Sequence, residues 1–207
     1  MPHLSIHSLG PFHVTLDGNP VTGFESNKVR ALLIYLAVES DRPHSRETLA
    51  GFLWPDQPER SARHNLSQAL SNLRQVIHDR DTEPSFLHVN RGTVQFNHAS
   101  DHRLDVTEFA AHVAAVESHP HLRLGRCEPC LRRLEQSIVL YRGEFLAGFF
   151  VDDSVPFSEW ATLLRERFRR QALDALYHLA EHYEKLRDYG RARRYARRQV
   201  EMEPWRE

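Results

Sequence analysis

The longest regular pattern of apolar and polar positions in the chain runs from Asp56 to Asp79. Apolar residues recur there at spacings of three and four, which is the repeat of an amphipathic helix. Asp56 followed by Glu59 resembles a capping box, so we expect the helix to begin near Asp56, with Pro58 tolerated in its first turn. The apolar stripe consists of Ala62, Leu66, Ala69, Leu70, Leu73, Val76 and Ile77.

The opposite face of this predicted helix carries no Asp or Glu between Glu59 and Asp79. Its residues are cations, hydroxyls and amides, the side chains with which proteins contact phosphates and base edges. An ordinary solvated helix surface also explains such a face, so this segment alone leaves both interpretations open. The face comprises Arg60, Arg63, His64, Ser67, Gln68, Ser71, Asn72, Arg74 and Gln75.

A small antiparallel sheet and two shorter helices are predicted before this segment. Residues 3–16 alternate between apolar and polar, and the dipeptide Asp17-Gly18 is typical of a hairpin turn. Helical spacing of leucines predicts a helix from Ser26 to Glu39. A second helix, Arg46 to Trp54, can be capped by Ser45.

A second hairpin is predicted directly after the long helix. Residues 86–97 contain two alternating strands around Asn90-Arg91-Gly92, and we expect Gly92 to supply a positive φ. The order sheet, helix, helix, helix, hairpin predicts a winged helix-turn-helix, whose third helix enters the major groove of DNA. The fold class of residues 1–98 is therefore α+β, a winged helix with a small antiparallel sheet.

Residues 99–207 are predicted to form a second, all-α domain. The last two helices fit a tetratricopeptide-like pair of roughly 34 residues, and such repeats need about three copies for stability. We therefore expect this chain to be the amino-terminal part of a longer protein. We expect Asp105 to cap the first of these helices, and the basic run 191–199 to be a solvated helix face. The predicted helices span 101–117, 128–141, 156–186 and 188–202.

Composition narrows the functional classes. The 207 residues carry a formal net charge of −1, and residues 1–97 contain nine Lys or Arg against ten Asp or Glu. This balance excludes a protein that coats nucleic acid regardless of sequence, so DNA binding requires a local patch or two copies.

The absence of a long apolar run and of a secretory signal, with only two cysteines, favours a cytoplasmic protein. The sequence lacks a nucleophile elbow, a P-loop and recognisable paired catalytic carboxylates, so we expect no enzymatic activity.

Several segments together resemble the amino-terminal half of the SARP-type bacterial transcriptional activators. The resemblance implies an OmpR-like winged helix with an amino-terminal sheet, followed by an all-helical bacterial transcriptional activation domain. It covers nearly the whole chain, and no single segment would carry it alone. The segments are LGPFHVTLDGNPV, SNKVRALLIYLAVESDRPHSRETLAGFLWPD, ARHNLSQALSNLRQVI, SDHRLDVTEFAAHV and LYRGEFLAGF.

The resemblance also implies partners. It implies sequence-specific binding to direct repeats in double-stranded DNA by two protomers side by side, as a homodimer on DNA, and recruitment of RNA polymerase. In OmpR-like domains the loop before the recognition helix commonly contacts polymerase, and this loop corresponds to Trp54–Pro58. An alternative is a protein-interaction scaffold, in which the tetratricopeptide-like helices bind partners and the winged helix is a packing module.

The candidate DNA-contacting residues divide into two groups, because base contacts specify a sequence whereas phosphate contacts position the protein. Gln68 can pair with adenine and Arg63 with guanine, each pair worth about 1–3 kcal/mol of discrimination. Thr93, next to the predicted wing turn, is a further candidate. The major-groove group is Arg63, His64, Ser67, Gln68 and Ser71, and the phosphate group is Lys28, Arg46, Arg60, Arg74 and Arg91.

A second candidate site lies in a loop of the second half that contains proline and glycine. Cys127 and Cys130 form a Cys-x2-Cys pair whose thiolates can share a structural zinc ion, with His121, and more weakly His119, as further ligands. His112 is a rival ligand. We expect Cys130 to lie in the first turn of the next helix, where the helix dipole favours thiolate. Two reduced cysteines without a ligand remain an alternative, as does a redox pair, although the βαβ context of a redox pair is absent.

Overall fold

The amino-terminal sheet forms as the alternating pattern predicts. The computed structural model describes residues 2–120 and 123–203. Leu4 and Ile6 are fully buried, and the hairpin turn closes with both Asp17 and Gly18 at positive φ. A strand from the middle of the chain joins in parallel, which the sequence pattern does not predict. Across the sheet the strands are β3 (Asn19–Pro20), β2 (His13–Leu16), β1 (Leu4–His7) and β7 (His102–Leu104).

The winged helix-turn-helix predicted from the element order is confirmed. The Ser45 hydroxyl accepts a 3.0 Å hydrogen bond from the backbone N–H of Thr48 and so caps the second helix as expected. A short strand ahead of that helix pairs with the wing and makes it three-stranded. The elements are α1 (Asn27–Val38), β4 (His44–Ser45), α2 (Arg46–Leu53), α3 (Glu59–Val76), β5 (Leu87–Val89) and β6 (Thr93–Phe96).

Two local predictions in this part are wrong. Helix α3 begins at Glu59 with Pro58 at the N-cap position and no side-chain cap, so Asp56 forms no capping box. The reason is that a residue before proline is driven out of the helical region, so the helix cannot extend back through Gln57. Gly92 has no positive φ, and the wing turn closes through a 3.0 Å hydrogen bond from the Asn90 N–H to the Thr93 carbonyl.

From Asp105 onward the long elements of the described chain are all helices, as predicted, but the predicted all-α domain also contains β7. The first helix begins at Asp105, four residues later than expected, because residues 102–104 pair with β1 instead. The loop between the second and third helices is packed, with Phe145 and Leu146 fully buried. The helices are α4 (Asp105–Glu117), α5 (Glu128–Leu140), α6 (Val155–Lys185) and α7 (Tyr189–Met202).

Helices α6 and α7 form the expected tetratricopeptide-like antiparallel pair. Near the turn between them, the rings of Tyr183 and Tyr195 stack with centroids 5.8 Å apart, and at the far end Arg169 pairs with Glu203 at 3.0 Å. Although α6 has 31 residues, neither it nor another helix among the described residues is apolar enough to cross a membrane.

Asp105 does not cap α4 from outside the helix but anchors the amino-terminal sheet to it. Its carboxylate is 2 % exposed and accepts hydrogen bonds from the backbone N–H groups of Ser8 and Leu9 and from the Ser8 hydroxyl, at 2.9–3.0 Å. The guanidinium of Arg142 lies 3.4 Å away. A buried carboxylate that accepts this many hydrogen bonds is held firmly in place. If the carboxylate is removed, each of its donors loses a partner.

The winged helix and the helical half share one continuous hydrophobic core. The ring of Trp160 on α6 lies 5.3 Å from Tyr35 and 6.4 Å from Phe52, while its indole N–H donates to the Glu39 carboxylate at 2.9 Å. The domain division between residues 98 and 99 stays a prediction. It falls between β6 and β7, although β7 belongs to the amino-terminal sheet.

We predict that Asp105→Ala lowers the free energy of unfolding by about 3–5 kcal/mol, because it leaves several buried donors without an acceptor and removes the carboxylate beside Arg142. Denaturant titration monitored by circular dichroism measures this loss. The matched control is Asp101→Ala, which breaks a half-exposed contact to His3 and should cost no more than about 1 kcal/mol. Equal losses in the two variants would contradict the anchoring role of Asp105.

Candidate nucleic-acid interface

Helix α3 presents the polar face that its sequence predicts. Its stripe, which includes Leu66, Leu70 and Leu73, is buried against α1 and α2, because only that orientation removes the leucines from water. The opposite face is exposed over the full length of the helix. The exposed members are Arg60, Arg63, His64, Ser67, Gln68, Ser71 and Gln75.

Arg63 is the most restrained residue of this face. Its guanidinium pairs with Glu59 at 2.6 Å and with Glu47 of α2 at 3.4 Å. Both carboxylates are about 70 % exposed, and exposed pairs contribute only about 0.2–1 kcal/mol. A bidentate contact to guanine, worth about 1–3 kcal/mol, is strong enough to displace them. The sequence pattern gives no sign of Glu47, because it lies 16 residues before Arg63 on a different helix.

The wing holds Arg91 exposed at its tip, with Thr93 half-buried at the start of β6. Arg46, predicted to bind phosphate, instead supports this tip. Its backbone N–H donates to the Gly92 carbonyl at 2.9 Å, and its Nε donates to the Asn90 carbonyl at 3.2 Å. The start of α2 and the wing tip are therefore joined directly, and the position of Arg91 depends on Arg46.

The structure places Lys28 away from the exposed face of α3. Its side chain is 12 % exposed, its Nζ contacts the Asp153 carboxylate at 2.6 Å, and it lies 5.1 Å from the centre of the Trp54 ring. Lys28 thus joins α1 to the loop before α6, and the prediction that it binds phosphate is not supported. The sequence could not show this, since Asp153 is 125 residues away.

Two further polar residues of α3 form hydrogen bonds with groups inside the protein. Arg74 donates through Nε to the fully buried Asp79 carboxylate at 2.7 Å, so its guanidinium holds the end of α3, and its role as a phosphate ligand stays a prediction. Asn72, predicted on the exposed face, is buried. Its side chain accepts from the Glu25 N–H at 3.1 Å and donates to the Gly23 carbonyl at 3.2 Å.

The loop between α2 and α3 is anchored at one end and exposed at the other. Trp54 is 7 % exposed, whereas Pro55, Asp56, Gln57 and Pro58 are all exposed. Trp54 is therefore an internal support of this loop, and residues 55–58 form its accessible surface. The resemblance to OmpR-like domains implies that this loop contacts polymerase.

Three of the four predicted metal ligands lie close together. His119 is exposed, Cys127 is half-buried at the N-cap of α5, and Cys130 is 1 % exposed in its first turn. Burial and the hydrogen bond with Cys127 raise the pKa of the Cys130 thiol to about 11. His121 lies outside the described residues. The rival His112 is not part of the cluster within the described ranges.

Comparison with known proteins finds similarity along most of the chain. A model of the family described as the bacterial transcriptional activator domain matches residues 104–207. Over 144 residues the chain is 28 % identical to the transcriptional regulatory protein EmbR of Mycobacterium tuberculosis and of Mycobacterium bovis, covering 67 % of this chain and 35 % of EmbR. The chain therefore spans about a third of the length of these relatives.

The fold also matches a solved structure. The structure of Mycobacterium tuberculosis EmbR in complex with a low affinity phosphopeptide superimposes with a TM-score of 0.66 at 24 % identity. The match covers 90 % of this chain and 50 % of that chain. The matched region includes both the winged-helix half and the helical half. A similar arrangement of these two halves therefore occurs in a solved structure.

We predict that Lys28 and Asp153 are energetically coupled. In a double-mutant cycle of Lys28→Ala and Asp153→Ala, thermal unfolding should give a coupling energy of about 0.5–1 kcal/mol, because the lysine is largely shielded from water. The control cycle uses the exposed helical pair Arg197 and Glu201, for which we expect less than about 0.5 kcal/mol. Additive effects of the Lys28 and Asp153 variants would contradict this assignment.

Proposed function

Because the chain belongs to the family of the bacterial transcriptional activator domain, we propose that this transcriptional regulator binds double-stranded DNA in a sequence-specific way. The membership bears out the resemblance to SARP-type activators, and the similarity to EmbR agrees with it. What the family does not decide is which surface reads DNA. The proposal assigns that role to the exposed face of α3 and to the wing.

The observation that carries the proposal is the composition of the α3 face. From Arg60 to Gln75 the exposed residues are arginines, serines, glutamines and one histidine, and none is acidic. A helix of 18 residues is about 27 Å long, long enough to lie along a major groove with several side chains at base edges. The side-chain bonds of this face within the described residues join it only to the winged-helix half.

The residues of the face divide by reach and chemistry. Gln68 lies near the middle of α3, where its amide can pair with adenine, and Arg63, five residues earlier, can pair with guanine. His64, Ser67 and Ser71 lie beside them as further base-edge contacts. Arg60 at the start of the helix and Arg91 at the wing tip would hold the phosphates on either side. Thr93, half-buried beside the wing tip, is a secondary phosphate contact.

The small net charge of the chain limits its non-specific affinity for DNA. A formal net charge of −1 gives little general attraction to DNA, so non-specific affinity is low and few phosphates are contacted. Specific binding then depends on base contacts and on the simultaneous binding of two protomers to neighbouring half-sites. The SARP-type resemblance supports direct repeats as the arrangement of those half-sites and RNA polymerase as the partner, contacted through residues 55–58.

A protein-interaction scaffold is the second candidate function. The observation that favours it is the large junction between the winged helix and the helical half, in which Trp160 and Lys28 take part. A winged helix used only for packing needs no exposed reading face. The two functions therefore differ in what happens when residues on the exposed side of α3 are replaced.

Sequence reading is tested by selecting bound molecules from a random duplex pool with this chain and sequencing them. We expect the wild-type chain to enrich a repeated motif and to bind it more weakly at higher salt. The Arg63→Ala, Gln68→Ala double variant should keep its fold and lose the enrichment, because each lost pair removes about 1–3 kcal/mol of discrimination. Absence of binding at low salt would favour the scaffold function. An unchanged motif in the variant would contradict the assignment of base contacts to Arg63 and Gln68.

We predict that Arg91→Ala weakens binding to the selected duplex without changing the enriched motif. Losing one phosphate contact should reduce the slope of log affinity against log salt by about 0.9, as measured by fluorescence anisotropy. Arg197→Ala, which removes an exposed arginine from α7, is the matched control and should leave the slope unchanged. If Arg197→Ala changes the slope and Arg91→Ala does not, the DNA lies on the other half of the protein.

A further inference from the structure

The connection between α4 and α5 brings together thiol and imidazole groups. It holds both cysteines of the chain, Cys127 and Cys130, and His119, which follows the end of α4 by two residues. Cys127 is the N-cap residue of α5 and Cys130 lies in its first turn, so the helix fixes the spacing of the two sulfur atoms. The ligand atoms of all three residues lie within 4.8 Å of one another.

One donor–donor distance in this cluster equals that of a zinc site, and all three donor atoms lie within 4.8 Å of one another. The His119 Nδ1 and Cys127 Sγ atoms are 3.6 Å apart. Zinc binds sulfur at about 2.3 Å and nitrogen at about 2.0–2.1 Å, so a tetrahedral centre separates the two donors by about 3.6 Å. The same geometry puts two sulfur ligands about 3.8 Å apart. The nitrogen–sulfur distance therefore already has its metal-bound value.

We propose that His119, Cys127 and Cys130 bind a zinc ion. Two thiolates and an imidazole are the donor set of zinc sites, and hard cations such as magnesium or calcium prefer oxygen ligands. The three donors occupy three positions of a tetrahedron and leave the fourth for water or another donor. His121, predicted from the sequence as a ligand, lies outside the described residues, and the proposal does not depend on it.

Zinc binding would fasten the α4–α5 connection. The ion joins His119, two residues after the end of α4, to the first turn of α5, and the chain between them contains a short 3-10 turn at Leu124–Arg126. That turn rests against α6, where the His182 ring bonds the Gly125 carbonyl at 2.9 Å. The metal thus stabilises three of the four helices of the second half, and the proposal is independent of DNA binding.

The burial of each of the three residues decides which of them can be replaced without unfolding the protein. Cys130 is buried, so replacing it risks unfolding the start of α5 for reasons unrelated to metal. Cys127 is half-buried and His119 is exposed, so Cys127→Ser and His119→Ala should fold. His112→Ala, a histidine outside the cluster, is the matched control.

Metal analysis of the reduced full chain tests binding directly. We expect about one zinc per wild-type chain, and with cobalt as probe a thiolate-to-metal charge-transfer band and the visible bands of a tetrahedral centre. Cys127→Ser should lose the metal, and His119→Ala should weaken binding at least by the roughly 10–100-fold that loss of an outer-shell partner causes. His112→Ala should match the wild-type chain.

Thermal unfolding provides the second measurement. Free zinc at a hundred times the dissociation constant should raise the Tm of the wild-type chain by roughly 5–10 °C, and that of Cys127→Ser by much less. A wild-type chain that binds no zinc or cobalt under reducing conditions would overturn the proposal. So would a Cys127–Cys130 disulfide that persists in reductant, or an equal Tm shift in Cys127→Ser.

Discussion

The packing of Trp160 between two halves of the protein is the interaction on which the rest of the arrangement depends. Its ring lies against Tyr35 and Phe52 of the winged helix, and its N–H bonds the Glu39 carboxylate at the end of α1. The same ring contacts Phe145 and Phe157 of the helical half. Because these contacts are aromatic and largely buried, the two halves behave as one packed unit and not as independently moving domains.

This junction determines which surfaces stay available. It involves α1, α2 and α6, so it covers the side of the winged helix where Lys28 lies and leaves the outer side of α3 in solvent. The Lys28 side chain bridges to the helical half at this junction, through its contact with Asp153.

Regular periodicity made the main elements and the α3 face predictable from the sequence. Leu66, Leu70 and Leu73 define one side of α3, so the exposed side follows by geometry. Residues whose partners are distant in sequence could not be placed in this way. Asn72 is polar yet buried, because backbone groups of Gly23 and Glu25 satisfy its amide across 47–49 residues.

Long-range pairing also explains the errors at element ends. Residues 102–104 have helical neighbours in the sequence, but β1 offers them an edge with unpaired backbone groups, so they form a strand. Asp105 then has the Ser8 and Leu9 N–H groups within reach and becomes an internal anchor. The proximity of Cys127 and Cys130, in contrast, was predictable because they are close in sequence, whereas His119, the weaker of the two histidine candidates, is the one that lies beside them among the described residues.

The central claim is that the exposed face of α3 lies against DNA, and photo-crosslinking tests it most directly. A photoreactive amino acid placed at Gln75, on the exposed face of α3, is compared with the same group at Arg194, on the exposed basic surface of α7. The account predicts a salt-sensitive crosslink to the selected duplex from position 75 and none from position 194. Crosslinking from position 194 alone would contradict it and would move the DNA to the helical half.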